Sequence, residues 1–173
     1  MTCKHTTDKI IGSSTARVEG PSTGTEVSRA LQLSNAPARY ARKKLTAHDI
    51  TKIISEGPSQ PPFTYAFPKS NGRSFQVEWF CKILPDKSMT QHRNWISYSM
   101  STNSAFCLPC LIFGGPQASP TWVYEGWSNW RCGVRDIDRH ELSKEHRYSE
   151  IARLQWLSAK SLDRTMRHQT TFS

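Results

Sequence analysis

The chain lacks several things that would place it in familiar classes. No run approaches the length of about 18 apolar residues that a membrane-spanning helix needs. The N-terminal region is rich in Ser and Thr and has no apolar core of the kind a secretory signal carries. No Asn-x-Ser/Thr sequence is present to accept a glycan. Five cysteines are too few and odd in number for a disulfide framework, so a reducing compartment, nucleus or cytosol, is expected. Apolar residues make up only 36% of the 173, which excludes a large self-sufficient core and calls for a staple. Positive charge, by contrast, is plentiful. Lys and Arg number 23 against 14 acids, for a net charge of +9. That balance favours a polyanionic partner, either nucleic acid or an anionic membrane surface.

The staple is legible between Phe106 and His146. Cys107-Leu-Pro-Cys110 is followed by His140-Glu-Leu-Ser-Lys-Glu-His146. Two close pairs of thiolate and imidazole donors supply the four ligands of a closed tetrahedral Zn2+ site. Cys-x-x-Cys turns both thiols to one side of a tight loop, and Pro109 pre-shapes that loop by fixing one φ. The histidines lie six positions apart, about 600° on a continuous helix, and would face different ways. Ser143, a good N-cap, can break the helix so that His140 closes one segment and His146 enters the first turn of the next. Cys132, eight positions before His140, could stand in for one ligand, but it has no partner at close spacing. Cys3 and His5 read as incidental residues of a flexible tail. A thioredoxin-like redox pair would need βαβ surroundings that are absent here. A deaminase would need His-x-Glu before Pro-Cys-x-x-Cys and an open metal position, and neither condition is met.

Along the chain, residues 1–45 read as a disordered basic tail ending in Arg39-Tyr-Ala-Arg42-Lys43-Lys44, a nuclear localisation signal, a phosphate-contacting arm or simply a solvated patch. Residues 46–55 predict a short helix capped by Thr46, with Asp49 in the capping-box position and Gly57-Pro58 ending it. Residues 60–68 predict a proline-restrained arm whose alternating Phe63, Tyr65 and Phe67 pack on the core or stack on bases. Residues 74–84 predict a helix containing Cys81 as a small hydrophobe, stopped by Pro85. Residues 95–100 alternate as a strand. Residues 105–107 and 110–113 predict a second strand passage, which would put the cysteine pair at the end of a β-hairpin. A Gly/Pro loop follows, then Trp122, Trp127 and Trp130, the last two expected to cover the metal.

Residues 143–162 carry the clearest helical period, with Tyr148, Ile151, Ala152, Leu154 and Leu157 as its packed face. Lys144, Arg147 and Arg153 add cations for a nucleic-acid backbone, although four acids dilute them and an ordinary solvated face is the alternative. The fold expected is α+β: a small zinc-stapled domain over residues 46–165, with a β-hairpin carrying Cys-x-x-Cys and a C-terminal helix carrying the His pair. Residues 166–173 form a disordered end.

These residues resemble a known pattern. Asp49-Ile50, Gly57-Pro-Ser-Gln-Pro61, Phe67-Pro68, Arg73-Ser-Phe75-Gln and Trp79-Phe80 are followed by Tyr98-Ser99, Ala105-Phe106-Cys107-Leu-Pro-Cys110 and Leu111-Ile-Phe113. Gly126-Trp-Ser-Asn-Trp130 and the histidine segment complete the set. The order is similar to that of the TTF-type zinc finger of hAT-superfamily transposases and of transposon-derived zinc finger MYM-type relatives, over roughly residues 49–157. The resemblance implies a nuclear, zinc-dependent DNA-binding module with Cys107, Cys110, His140 and His146 as ligands. Arg42, Lys43, Lys44, Lys144, Arg147 and Arg153 are the candidate nucleic-acid contacts. A protein-interaction module is the competing reading. A transposase of that group would continue into a ribonuclease-H-like domain with three carboxylates. This chain ends at Ser173, so no transposase activity is expected.

Overall fold

The computed structural model describes residues 36–84 and 90–169. Cys3, His5 and Pro85 lie outside that range, as does most of the expected N-terminal tail. The last residues of that tail are described: Pro37–Arg39 form a 3-10 turn with Ala36 and Pro37 buried. Helix α1 is Ala47–Glu56. Thr46 and Asp49 make the reciprocal capping box, with the Asp49 backbone N–H donating to Thr46 Oγ1 and the Thr46 N–H to Asp49 Oδ2. Asp thus replaces the usual Glu without losing either bond. The Thr46 hydroxyl, which donates to Asp49 Oδ2 at 2.7 Å, and then the Thr46 N–H hold the Asp49 carboxyl below its ordinary range. Gly57, at φ 72°, ends the helix in the left-handed region that glycine tolerates.

The extended arm then clamps the edge of the central hairpin. The Ser59 N–H donates to Ser97 Oγ, and the Ser59 carbonyl accepts from the Tyr98 N–H at 2.7 Å. Gln60 Nε2 donates to the carbonyls of Arg93 and Ile96. Tyr65 and Phe67 turn inward, and Phe67 meets Tyr98 and Phe75 with ring centroids 4.9 and 5.0 Å apart. Phe63 does not share their face and is 81% exposed.

The helix expected over 74–84 is replaced by a 3-10 turn, Val77–Phe80, and a strand β1, Cys81–Ile83. The Phe75–Trp79 contact survives at 5.1 Å. The backbone, however, pairs antiparallel with β2, Thr90–His92, a partner that no local periodicity could announce. The central hairpin is β3, Ile96–Ser99, with β4, Ser104–Cys107, every residue of both being buried. Asn103 takes a positive φ of 46° in the turn, accepts from the Tyr98 hydroxyl at 2.6 Å and donates to the Pro68 carbonyl.

Residues 108–113 form not a strand but helix α2, Leu108–Phe113. Pro109 sits in its first turn, where a missing N–H costs nothing, and the Gly114 N–H closes onto the Cys110 carbonyl. A π-helical turn, Thr121–Glu125, leads to Gly126, whose φ of 86° places a Cα where any Cβ would strike Ser104 and Phe106. This close approach lets Trp127 bridge the outer edge of β4 through paired N–H···O bonds with Ala105, each 2.8 Å. Helices α3, Gly133–Glu141, and α4, Lys144–Gln169, complete the described chain. α4 therefore continues beyond residue 165, into the expected disordered end.

The core is aromatic rather than aliphatic. Phe75, Phe80, Trp95, Tyr98, Trp122, Trp127 and Trp130 are all buried, and Ile96 and Ile137 fill between them. Ring-on-ring contacts link Tyr65 at one end to the histidines at the other. Such side chains cover large areas per residue, which is how a chain of low apolar fraction encloses a core. The architecture is α+β, with two antiparallel hairpins and helices against the second.

Candidate metal centre

Cys107 is the last residue of β4 and the N-cap of α2, and Cys110 lies in that helix's first turn. His140 is in the last turn of α3, and His146 is in the first turn of α4. The break between the helices is the one Ser143 predicts: its Oγ accepts from the His146 N–H at 3.2 Å, and its own N–H donates to the His140 carbonyl. α2 packs against α4, which brings the two pairs together. All four side chains are buried, and their donor atoms lie within 4.8 Å of one another.

The donor geometry fits a tetrahedral ion. Cys107 Sγ stands 3.2 Å from His146 Nδ1, Cys110 Sγ 3.7 Å from His140 Nε2 and 3.9 Å from His146 Nδ1. With Zn–S near 2.3 Å and Zn–N near 2.0 Å, tetrahedral edges between donors are about 3.4–3.8 Å. Soft thiolates with imidazoles suit zinc over the hard cations. One alternative donor falls away. Cys132 stands at the N-cap of α3, eight positions from His140 and so about 12 Å along the axis at the opposite end of the helix. Among the described residues the four-donor cluster is the one group suited to a metal.

Electrostatics among the four side chains divide the thiols. The hydrogen bond from the Cys107 thiol, opposed by burial and supported by bonds from His140 and His146, holds Cys110 well below the ordinary thiol range. Burial, with the neighbouring Cys110, pushes Cys107 well above it. Burial also lowers His140, favouring the neutral ring that can ligate. Cys107 must therefore shed a proton to become a ligand. The affinity for zinc is expected to fall about tenfold or more for each pH unit of acidification. Competition against a zinc indicator at about pH 7.5 and 6.5 measures this; an unchanged affinity would rule out Cys107 as a thiolate ligand.

The tryptophans are arranged differently from expectation. Trp122 stacks on His140 at 4.6 Å and 22°, and Trp95 meets His146 at 4.8 Å and His140 at 5.3 Å. Trp127 lies one layer out, stacked on Trp122 at 5.0 Å, and Trp130 lies beyond it. Gly126 turns the chain so that Trp127 pairs along β4, leaving Trp122 as the ring over the imidazole.

Sequence reasoning missed the polar brace behind this centre. Arg93, 6% exposed, donates to the Cys81 carbonyl at 2.7 Å and to Asp138 Oδ1 at 2.5 Å, with Glu141 at 3.6 Å. Lys82 donates to Glu141 at 2.8 Å, and Trp95 Nε1 donates to the other Glu141 oxygen. Burial opposes ionisation of Glu141, but Lys82 and Arg93 outweigh it, and its pKa is lowered. The brace joins β1 and the 93–95 segment to the helix that carries His140. A lone Arg before an aromatic run gives no local sign of this.

The predicted nucleic-acid contacts divide by surroundings. Arg42, Lys43, Lys44, Lys144 and Arg147 are exposed, whereas Arg153 is paired with Glu150 at 2.8 Å and only 18% exposed. α4 also turns a face other than the expected one inward. His146 and Ser149 are buried, and Trp156 meets Phe113 at 6.2 Å, while Tyr148, Ile151, Leu154 and Leu157 are 40–69% exposed. The burial of His146 beside the Cys107 thiol goes with this rotation of the helix; the apolar period does not.

No family model matches the chain, and no solved structure matches it. Zinc finger MYM-type protein 5 of Homo sapiens is 35% identical over 83 residues, covering 47% of this chain and 12% of that protein. The Macaca fascicularis protein of the same name gives the same figures. The Mus musculus protein is 30% identical over 95 residues, covering 54% of this chain and 15% of that protein. The chain is thus homologous to zinc finger MYM-type protein 5 at modest identity over about half its length, and it spans roughly an eighth of those relatives.

Proposed function

We propose that this chain is a zinc-stabilised DNA-binding module of the TTF type, related to the finger of hAT transposases, acting in the nucleus through residues 46–165. The observation that carries the reading is the buried cluster of Cys107, Cys110, His140 and His146 in a chain of net charge +9. Similarity to zinc finger proteins supports the metal part. Four protein donors close the coordination shell, so the zinc is structural and no water is activated on it. Exposed Arg42, Lys43, Lys44, Lys144 and Arg147 supply phosphate contacts, with Arg153 held by Glu150.

The test is binding of the zinc-loaded chain to duplex DNA across salt. Affinity should fall on a log–log plot with a slope of about −0.9 for each phosphate contacted. A second reading, a protein-interaction module, is favoured by the exposed apolar row of Tyr148, Ile151 and Leu154 on α4. Such binding would be nearly insensitive to salt, and the absence of any DNA binding would leave it standing alone.

A further inference from the structure

A second basic surface lies at the other end of the metal-carrying helix. Residues 70–73 form a two-residue hairpin turn, Ser-Asn-Gly-Arg, closed by the Ser70 N–H to Arg73 carbonyl bond at 2.7 Å and its reciprocal at 3.1 Å. Asn71 and Gly72 both have positive φ, 51° and 77°, as a type I′ turn requires. The turn faces the segment that enters α3. Between them runs an open groove of about 580 Å³, lined by Asn71, Arg73, Asn129, Trp130 and Arg131 together with serines. An adjoining concavity of about 430 Å³ shares Arg73, Trp130 and Arg131 and continues to Arg135 at the start of α3.

We propose that this groove binds the phosphodiester backbone of DNA, with Arg73 and Arg131 as the phosphate clamp. The inference rests on the DNA-binding reading above and places a contact surface at residues that reading does not use. Arg73 and Arg131 are exposed, and neither has an acidic partner among the described residues. No acid lines either concavity, and Asp136, in the first turn of α3, is already engaged by Arg135, Arg139 and Asn129. Guanidinium forks beside amide and hydroxyl donors form a donor set that matches phosphate oxygens.

The hairpin turn holds its side of the groove rigidly, and the buried Trp130 forms part of the lining. The N-terminus of α3 has no side-chain cap, so its first N–H groups add to the positive field at the groove's end. The geometry also couples the surface to the metal. α3 begins at the groove with Gly133 and ends at the cluster with His140, about 10 Å along one axis. Fixing His140 on zinc therefore fixes the wall that carries Arg131.

The experiment uses the full zinc-loaded chain and a fluorescein-labelled random-sequence duplex at several salt concentrations. Arg73→Ala with Arg131→Ala is compared with wild type and with Lys52→Ala with Lys160→Ala, which removes the same charge at exposed positions that line neither concavity. The groove variant is expected to bind about tenfold or more weakly, with the salt slope reduced by about 1.8, the contribution of two phosphates. The control variant is expected to lose much less, and circular dichroism and zinc stoichiometry should match wild type in both. Equal losses in the two variants, or no loss in the groove variant, overturn the groove while leaving DNA binding in place. If the wild type itself fails to bind, the DNA-binding reading and the groove fall together.

Discussion

Stripping zinc from the loaded chain is expected to unfold it rather than loosen it. Structural zinc binds finger peptides with an apparent free energy of about 10–16 kcal/mol at neutral pH. Whole domains are stable by only about 5–15 kcal/mol. Here the cluster joins β4, α2, α3 and α4, elements that contribute few aliphatic contacts of their own. Circular dichroism should lose its helical signal on adding chelator and regain it at one equivalent of zinc. Trp95 and Trp122 touch the imidazoles, so tryptophan emission should report the same transition. Cys110→Ser and His146→Ala are expected to behave like the stripped protein, and Cys132→Ser like wild type. A chain that keeps its fold in chelator would refute the structural-zinc reading.

The second large effect is expected at Arg93. Arg93→Ala removes a buried guanidinium from two carboxylates and a strand carbonyl, breaking the brace that positions α3. Removing one partner of a buried pair costs about 3–5 kcal/mol. The lower end is expected, about 3 kcal/mol, because Asp138 is 41% exposed and water can take over its side. Urea unfolding in excess zinc measures this, read against the exposed Lys52→Ala, whose effect should stay within about 0.5 kcal/mol. A change below about 1 kcal/mol would show that the brace adds nothing beyond the metal. The brace also sets a direction with pH. The Glu141 carboxylate has a lowered pKa in the folded chain, so its contribution is complete above the ordinary carboxylate range and disappears as pH falls through the folded value.

Several features could be read from the residues alone because their causes are local. The Thr46–Asp49 capping box, the Gly57 stop, the Ser143 break between the histidines and the hairpin over 96–107 all rest on bonds within a few residues. The two donor pairs that the structure brings together were legible for the same reason, since each is close in sequence. Where the chain departed from its local signals, a distant partner intervened. Residues 81–83 are strand because β2 pairs with them. Pro109 opens α2 against α4, and Trp122 covers His140 because Gly126 diverts Trp127 onto β4.

The rotation of α4 shows the division most clearly. Periodicity favoured the Tyr148–Leu154 row as the packed face, but His146 is buried beside the thiols and turns that row outward. Local chemistry therefore determined the donors, the caps and the turns, whose energies act over a few residues. Tertiary structure decided which faces are buried, how Arg93 is used and what Arg73 and Arg131 share. Burial and charge pairing depend on residues that meet only after the chain has folded.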